Sequence, residues 1–224
     1  MTRPVRRPPV KVAEPVGGPL TIVLATRNPG KVREFVELLR DLPIQVYSLD
    51  AFPQIPDLPE DGRTYTENAI NKAATVARLT RRVAIADDSG LEVDALQGAP
   101  GPQSRRFLGE RVSDAARNAR ILKLLRNAPA KTRAARYRAV VAVAAPDGTV
   151  RTFEGVCEGQ IATSSRGSHG FGYDPIFFVP AYGKSMAQLP LAVKNRISHR
   201  ARAFAAARPY LRRLATGVEV VTGD

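Results

Sequence analysis

Apolar positions along the chain follow two rhythms. Residues 20–25 (LTIVLA) and 83–86 (VAIA) are short uninterrupted apolar runs, which predict buried strands. Elsewhere apolar residues recur three and four apart. Residues 32–39 (VREFVELL), 65–82 and 112–126 read as helices. The second opens with Thr64 as N-cap and Glu67 three residues on, a capping-box pattern. Residues 91–96 (LEVDAL) alternate as a half-exposed strand does, and 137–145 with 149–161 predict a hairpin around Pro146, Asp147 and Gly148. A strand over 176–179 and a final helix over 195–214 complete the series. Strands and helices interleave without repeats or an internal linker, so the pattern predicts one α/β domain.

Composition sharpens this picture. The chain has 224 residues and is 44% hydrophobic, enough for a real core, which excludes wholesale disorder. No apolar run has transmembrane length. The single cysteine, Cys157, excludes an intrachain disulfide and a cysteine-rich zinc site, and suits a reducing compartment. Residues 1–19 carry five prolines and four basic residues with no apolar segment behind them. They predict an extended arm, not a secretory signal. The expected organisation is a disordered arm over 1–19, a domain over 20–217 and a short tail over 218–224. A cytoplasmic protein away from membranes is expected.

Charge changes the picture most. Thirty-four Lys and Arg against twenty-one Asp and Glu give +13, which calls for an anionic partner. Residues 194–213 hold seven basic residues and no acid, whereas 50–100 hold nine acids and five bases, a net of −4. An acidic stretch inside a basic chain suits a metal-plus-polyphosphate site, with carboxylates on the cation and basic side chains on the phosphates.

Four segments offer candidate chemistry. Thr26, Arg27, Asn28, Pro29, Gly30 and Lys31 lie between a predicted strand and a predicted helix. The helix's free N–H groups and its positive end would face an anion there. The loop lacks the first glycine and the final Ser/Thr of a Walker A motif. At ADDSG, Asp87 and Asp88 end an apolar run, and strand alternation lets only one of them face a site unless the backbone bends. With Glu60 or Glu67 nearby, one aspartate could bind Mg²⁺ and activate a water. The glycine-rich stretch from Gly167 carries Phe171, Gly172, Tyr173 and Asp174, with aromatic faces fit to stack on a base. Lys194 to Arg200 is a basic segment that holds His199, one of only two histidines.

These segments, in this order, resemble the inosine triphosphate pyrophosphatases. The matching motifs are residues 26–31 (TRNPGK), 64–72 (TYTENAINK), 86–91 (ADDSGL), 98–101, 170–178 (GFGYDPIFF) and 194–200 (KNRISHR). The resemblance implies an elongated α/β domain with a central mixed β-sheet flanked by helices and a substrate cleft between two lobes. It implies a homodimer that uses Mg²⁺ to cleave deaminated purine nucleoside triphosphates (ITP, dITP, XTP, dXTP) into monophosphate and pyrophosphate. By motif position, residues 26–31 would hold phosphates, and Asp88 would be proton acceptor and metal ligand. Glu60 would be the second metal ligand, and Ser89 a substrate contact. Lys72 and Lys194 would neutralise phosphate charge. Phe171, Gly172, Tyr173, Asp174, His199 and Arg200 would surround the base. The sequence departs from the family at Gln103, usually tyrosine, which leaves open whether Arg105 or Arg106 reaches the phosphates. It departs again at Gln188, often glutamate. The rival readings are a basic nucleic-acid-binding domain without hydrolase activity, and a triphosphatase that releases orthophosphate.

Overall fold

The computed structural model describes residues 19–216. The arm expected over 1–19 (save Pro19) and the tail over 218–224 lie outside the described residues. The chain opens with β1 (Leu20–Leu24), α1 (Pro29–Leu39), β2 (Ile44–Ser48), α2 (Tyr65–Thr80) and β3 (Val83–Val93). Then come α3 (Asp114–Leu124), β4 (Ala134–Ala144), β5 (Val150–Ile161), β6 (Phe177–Val179), β7 (Lys184–Ser185), α4 (Leu191–Ile197) and α5 (His199–Thr216).

The strands form one mixed, open sheet in the order β2-β1-β3-β4-β5-β6-β7. β1 runs parallel to β2 and β3, and every later pairing is antiparallel. β4 and β5 make the expected hairpin, from Ala144↔Val150 to Ala134↔Gln160. Helices cover both faces. Phe35 and Leu39 of α1, with Phe204 and Leu211 of α5, bury against Ile22, Leu24, Ile85 and Val141. On the other face Ala69, Ala73, Val76 and Ala77 of α2 bury against Val23, Ala84, Val140 and Ala142. A Cβ on Gly155 of β5 would sit 2.2 Å from the His199 carbonyl oxygen, so the glycine lets α5 lie directly on the sheet.

Five local expectations need correction. α1 starts at Pro29 rather than residue 32, because Asn28 caps it and proline is preorganised for the first helical position. β2 was not expected at all. α2 ends at Thr80, with Arg81 in the left-handed region at φ 55°. ADDSG does not end a strand: β3 runs through it to Val93, and residues 94–96 form a 3₁₀ turn. The single last helix is two, broken at Ser198 (φ −67°, ψ 158°), whose hydroxyl accepts the Ala201 N–H at 3.2 Å and so caps α5.

Candidate active site

The uneven lengths of β1 and β3 create the site. β1 last pairs at Leu24↔Ile85, while β3 continues eight residues further. Residues of β3 beyond Ile85 therefore have a free edge just past the carboxyl end of β1, where the first turn of α1 also lies. This is where open α/β sheets bind ligands. The Ile85 carbonyl accepts from Ala25 N–H at 2.7 Å. The next carbonyl on that edge, Asp87 O, accepts instead from Lys31 Nζ (3.1 Å) and Lys72 Nζ (2.9 Å). A cleft of about 750 Å³ opens there, and every site residue expected from the sequence lines it.

At the α1 end, Asn28 Oδ1 accepts from the N–H groups of Gly30 (2.9 Å) and Lys31 (3.2 Å). The free amides expected at this helix start are thus already capped, leaving the helix's positive end and the Lys31 ammonium to face an anion. Thr26 Oγ1 accepts from Asn28 N–H and fixes the turn. Arg27 reaches sideways, donating to Ile55 O at 2.6 Å and pairing with Asp57 at 3.1 Å. It holds the loop that carries Glu60.

The acidic centre is organised by one ammonium. Lys72, buried on α2, lies 2.7 Å from Glu60 Oε1 and 3.0 Å from Asp88 Oδ1, and Asn68 donates to Asp88 Oδ2 at 3.1 Å. Burial pushes the Asp88 carboxyl above its ordinary range despite Lys72 and Lys31. For Glu60 burial also pushes upward, but Lys72 and Lys31 prevail and hold it low. Arg106 donates to the Glu60 carbonyl oxygen, so Arg105, not Arg106, lines the cleft.

Asp87 faces away from that centre. Its carboxylate pairs with Arg200 (3.0 Å) and Lys31 (2.7 Å), which hold it well below the usual carboxylate range although burial opposes them. Arg200 also donates to Ser89 Oγ at 3.0 Å and pairs with Glu34. Glu34 in turn lies 2.8 Å from Lys194. Glu34 was missed from sequence: in VREFVELL it looks like a solvated helix position, and its two cations are far away in the chain.

The opposite wall belongs to the glycine-rich loop. Asp174 is buried and accepts from Phe171 N–H (3.0 Å), Tyr137 Oη–H (3.2 Å) and Lys194 Nζ (2.5 Å). The Phe171 ring lies over the first turn of α1, so that a Cβ on Gly30 would come within 2.4 Å of it. The ring's centroid is 4.8 Å from Lys194 Nζ. His199 stacks on Tyr137 at 4.5 Å with ring planes 18° apart. Burial, reinforced by Arg200, drives the His199 pKa well below its ordinary value, so it is neutral, and its Nδ1 is buried without a partner. Tyr137, the support for both His199 and Asp174, opens a predicted strand and carried no sequence signal of its own. Gln188 accepts from Ser185 N–H in a small cap and touches no chemistry.

Glu60 and Asp88 supply hard oxygen donors, and their carboxylates share one ammonium at the cleft wall. That set suits Mg²⁺, which binds one or two carboxylates and completes its shell with phosphate oxygens and water. Among the described residues no group of three His, Cys, Asp or Glu side chains forms a metal cage. No helix of the described residues is long and apolar enough to cross a membrane.

Known proteins share this architecture. The sequence pattern of the Ham1 family matches residues 22–210. A dITP/XTP pyrophosphatase of Desulforamulus reducens is 49% identical over 201 residues, 90% of this chain and 100% of that protein. One of Geobacter sulfurreducens is 48% identical over 190 residues, 85% of this chain and 96% of its own length. The solved structure of a HAM1 protein from Coxiella burnetii superposes with TM-score 0.77 at 41% identity, covering 89% of this chain and 100% of that one. The Staphylococcus aureus Ham1 protein gives 0.74 at 39% identity over the same shares.

Proposed function

The chain belongs to the Ham1 family, and on that footing we propose that it hydrolyses deaminated purine nucleoside triphosphates (ITP, dITP, XTP and dXTP) to the monophosphate and pyrophosphate. The observation that carries this reading is the pairing of Glu60 and Asp88 on the single ammonium of Lys72, beside Lys31 at the first turn of α1. Such a site holds a polyphosphate and can take a proton beside it.

A nucleoside triphosphate carries nearly four negative charges, so water approaching its α-phosphorus meets strong repulsion. Lys31 and Lys72 offset that charge and steady the departing pyrophosphate. Mg²⁺, when held by Glu60 and Asp88, supplies further neutralisation of phosphate oxygens. Asp88 takes the proton of the attacking water, a task that suits a carboxyl raised by burial. Ser89 offers a hydroxyl at the same free edge. Motif position implied phosphate contact for Lys194, but its bonds to Asp174 and Glu34 support a role at the base end.

Base choice follows from hydrogen-bond polarity. Hypoxanthine and xanthine present an acceptor at O6 and a donor at N1–H, and adenine presents the reverse. Arg200 or a loop N–H suits O6, and Asp174 or a carbonyl suits N1–H. Adenine would leave buried groups unpaired, at about 1–3 kcal/mol each.

The remaining parts of the reading are a homodimer, a cytoplasmic location, and a catalytic unit of residues 20–217 flanked by 1–19 and 218–224. The decisive assay incubates the protein with Mg²⁺ and ITP, dITP, XTP, ATP or GTP and measures pyrophosphate and orthophosphate separately. Pyrophosphate from the first three is expected. Orthophosphate alone would favour a triphosphatase. No Mg²⁺-dependent hydrolysis, with steep salt-dependent binding to duplex DNA, would favour the nucleic-acid module.

A further inference from the structure

We infer that Asp114 and Asn118, on the first turns of α3, are positioning residues for the base-holding loop and set substrate affinity through it. The inference rests on the proposed function for the identity of the substrate, but not for the contact itself. The Gly172 peptide is gripped from both sides. Its N–H donates to Asp114 Oδ2 at 2.8 Å, and its carbonyl accepts from Asn118 Nδ2 at 3.0 Å. Both residues follow the cap of α3, where Ser113 Oγ accepts from Ala116 N–H, and stand one helical turn apart.

Asp114 is itself held. Arg117, buried beside it, pairs with Asp114 Oδ1 at 3.1 Å and donates to the carbonyls of Phe107 (3.1 Å) and Gly109 (3.0 Å). The same segment takes hold of the loop once more, where Tyr173 Oη–H donates to Ser104 O at 2.9 Å. Ser104 Oγ accepts from Leu91 N–H of β3, the strand that carries Asp88. Loop and catalytic strand are thus pinned to one another through residues 104–118.

Neither grip looks like a device for stability. Asn118 Oδ1 is buried without a partner, a standing penalty for the fold, and Gly172 is only half-buried, so water could serve its peptide. What the pair does determine is where Phe171 and Asp174, on either side of Gly172, stand against the cleft.

The test compares Asp114→Ala, Asn118→Ala and the conservative Asp114→Asn, which keeps an oxygen to accept the Gly172 N–H. Amide exchange over residues 170–174 is read by hydrogen–deuterium mass spectrometry, and pyrophosphate release from ITP gives KM and kcat. Both alanine variants are expected to exchange faster in this loop and to raise KM roughly tenfold, well beyond any fall in kcat. Asp114→Asn should recover most of both. Unchanged loop exchange in the alanine variants would overturn the tether. Faster exchange with an unchanged KM, or kcat falling as far as KM rises, would overturn its role in affinity. Failure of the unaltered protein to release pyrophosphate would instead strike the proposed function, leaving the tether to stand or fall on exchange.

Discussion

Asp87 and Asp88 are neighbours in β3, yet their carboxylates serve opposite faces of the sheet. Asp87 is bound to Arg200 and Lys31, on the α1 and α5 side, and is held low; Asp88 is bound to Lys72 and Asn68 of α2 and is pushed up by burial. Two carboxyls driven apart by their surroundings suit different work, Asp87 in holding the structure and Asp88 in the proposed proton transfer.

The two asparagine variants should therefore fail differently. Asp88→Asn keeps the shape and loses the proton acceptor: stability within about 1 kcal/mol of the parent, turnover down by about two orders of magnitude or more. Asp87→Asn removes a charge that Arg200 and Lys31 hold firmly in place, unlike the Asp88 charge that burial opposes, so its stability should fall by about 3 kcal/mol. Denaturant midpoints and pyrophosphate release separate the two, and near-normal release by Asp88→Asn would refute its assignment.

Lys72 is the second prediction. Lys72→Met leaves Glu60 and Asp88 facing each other without their shared cation, and should cost about 3 kcal/mol and abolish hydrolysis. Because the two carboxylates then keep only Lys31 as a cation acting on both, millimolar Mg²⁺ should raise the melting temperature of the variant more than that of the parent. Equal Mg²⁺ responses would argue against Glu60 and Asp88 as a metal pair.

Much of this site was legible in the sequence because motif residues keep their order even when scattered. Five of the six segments converge on one cleft, residues 98–101 standing just outside its lining, and the capping box of Thr64 and Glu67 is present as read. What escaped depends on partners distant in the chain. Asp87 to Gly90 lay beyond the expected strand of 83–86 because Asp, Ser and Gly are poor strand formers. The strand persists there because Lys31, Lys72 and Arg200, brought from three helices, satisfy its polar groups. The break at Ser198 escaped because one extended residue leaves no mark on the periodicity. β2 (IQVYS) is a short edge strand, too brief and too mixed in exposure to register as a run.

The contact between Gly30 and Phe171 gives a third prediction, one of sign. Glycine to alanine inside a helix usually stabilises by about 0.4–1 kcal/mol by restricting the unfolded chain. At Gly30 the added Cβ would lie 2.4 Å from the Phe171 ring, so Gly30→Ala should instead destabilise. In a Phe171→Ala background the same change should become stabilising. Thermal melts of the four proteins complete the cycle, and the same sign in both backgrounds would refute the close packing of loop on helix.

His199 makes the fourth prediction, concerning acidity. It is buried and neutral, facing the cations Arg200, Lys194 and Lys31 with Asp87 as the opposing charge. Its folded pKa lies well below the usual ~6.5 of an unfolded histidine, so the unfolded chain binds the proton first as pH falls. Stability is therefore fully present above that unfolded value and is lost progressively below it. Phenylalanine keeps a ring to stack on Tyr137 but cannot titrate, and His169, exposed in its loop, remains in both proteins. Between pH 7.5 and 5 the melting temperature of the parent should fall more steeply than that of His199→Phe, the gap opening below pH ~6.5. Parallel curves would mean that His199 takes up a proton in the fold as readily as outside it, and the neutral imidazole beside the base loop would have to be abandoned.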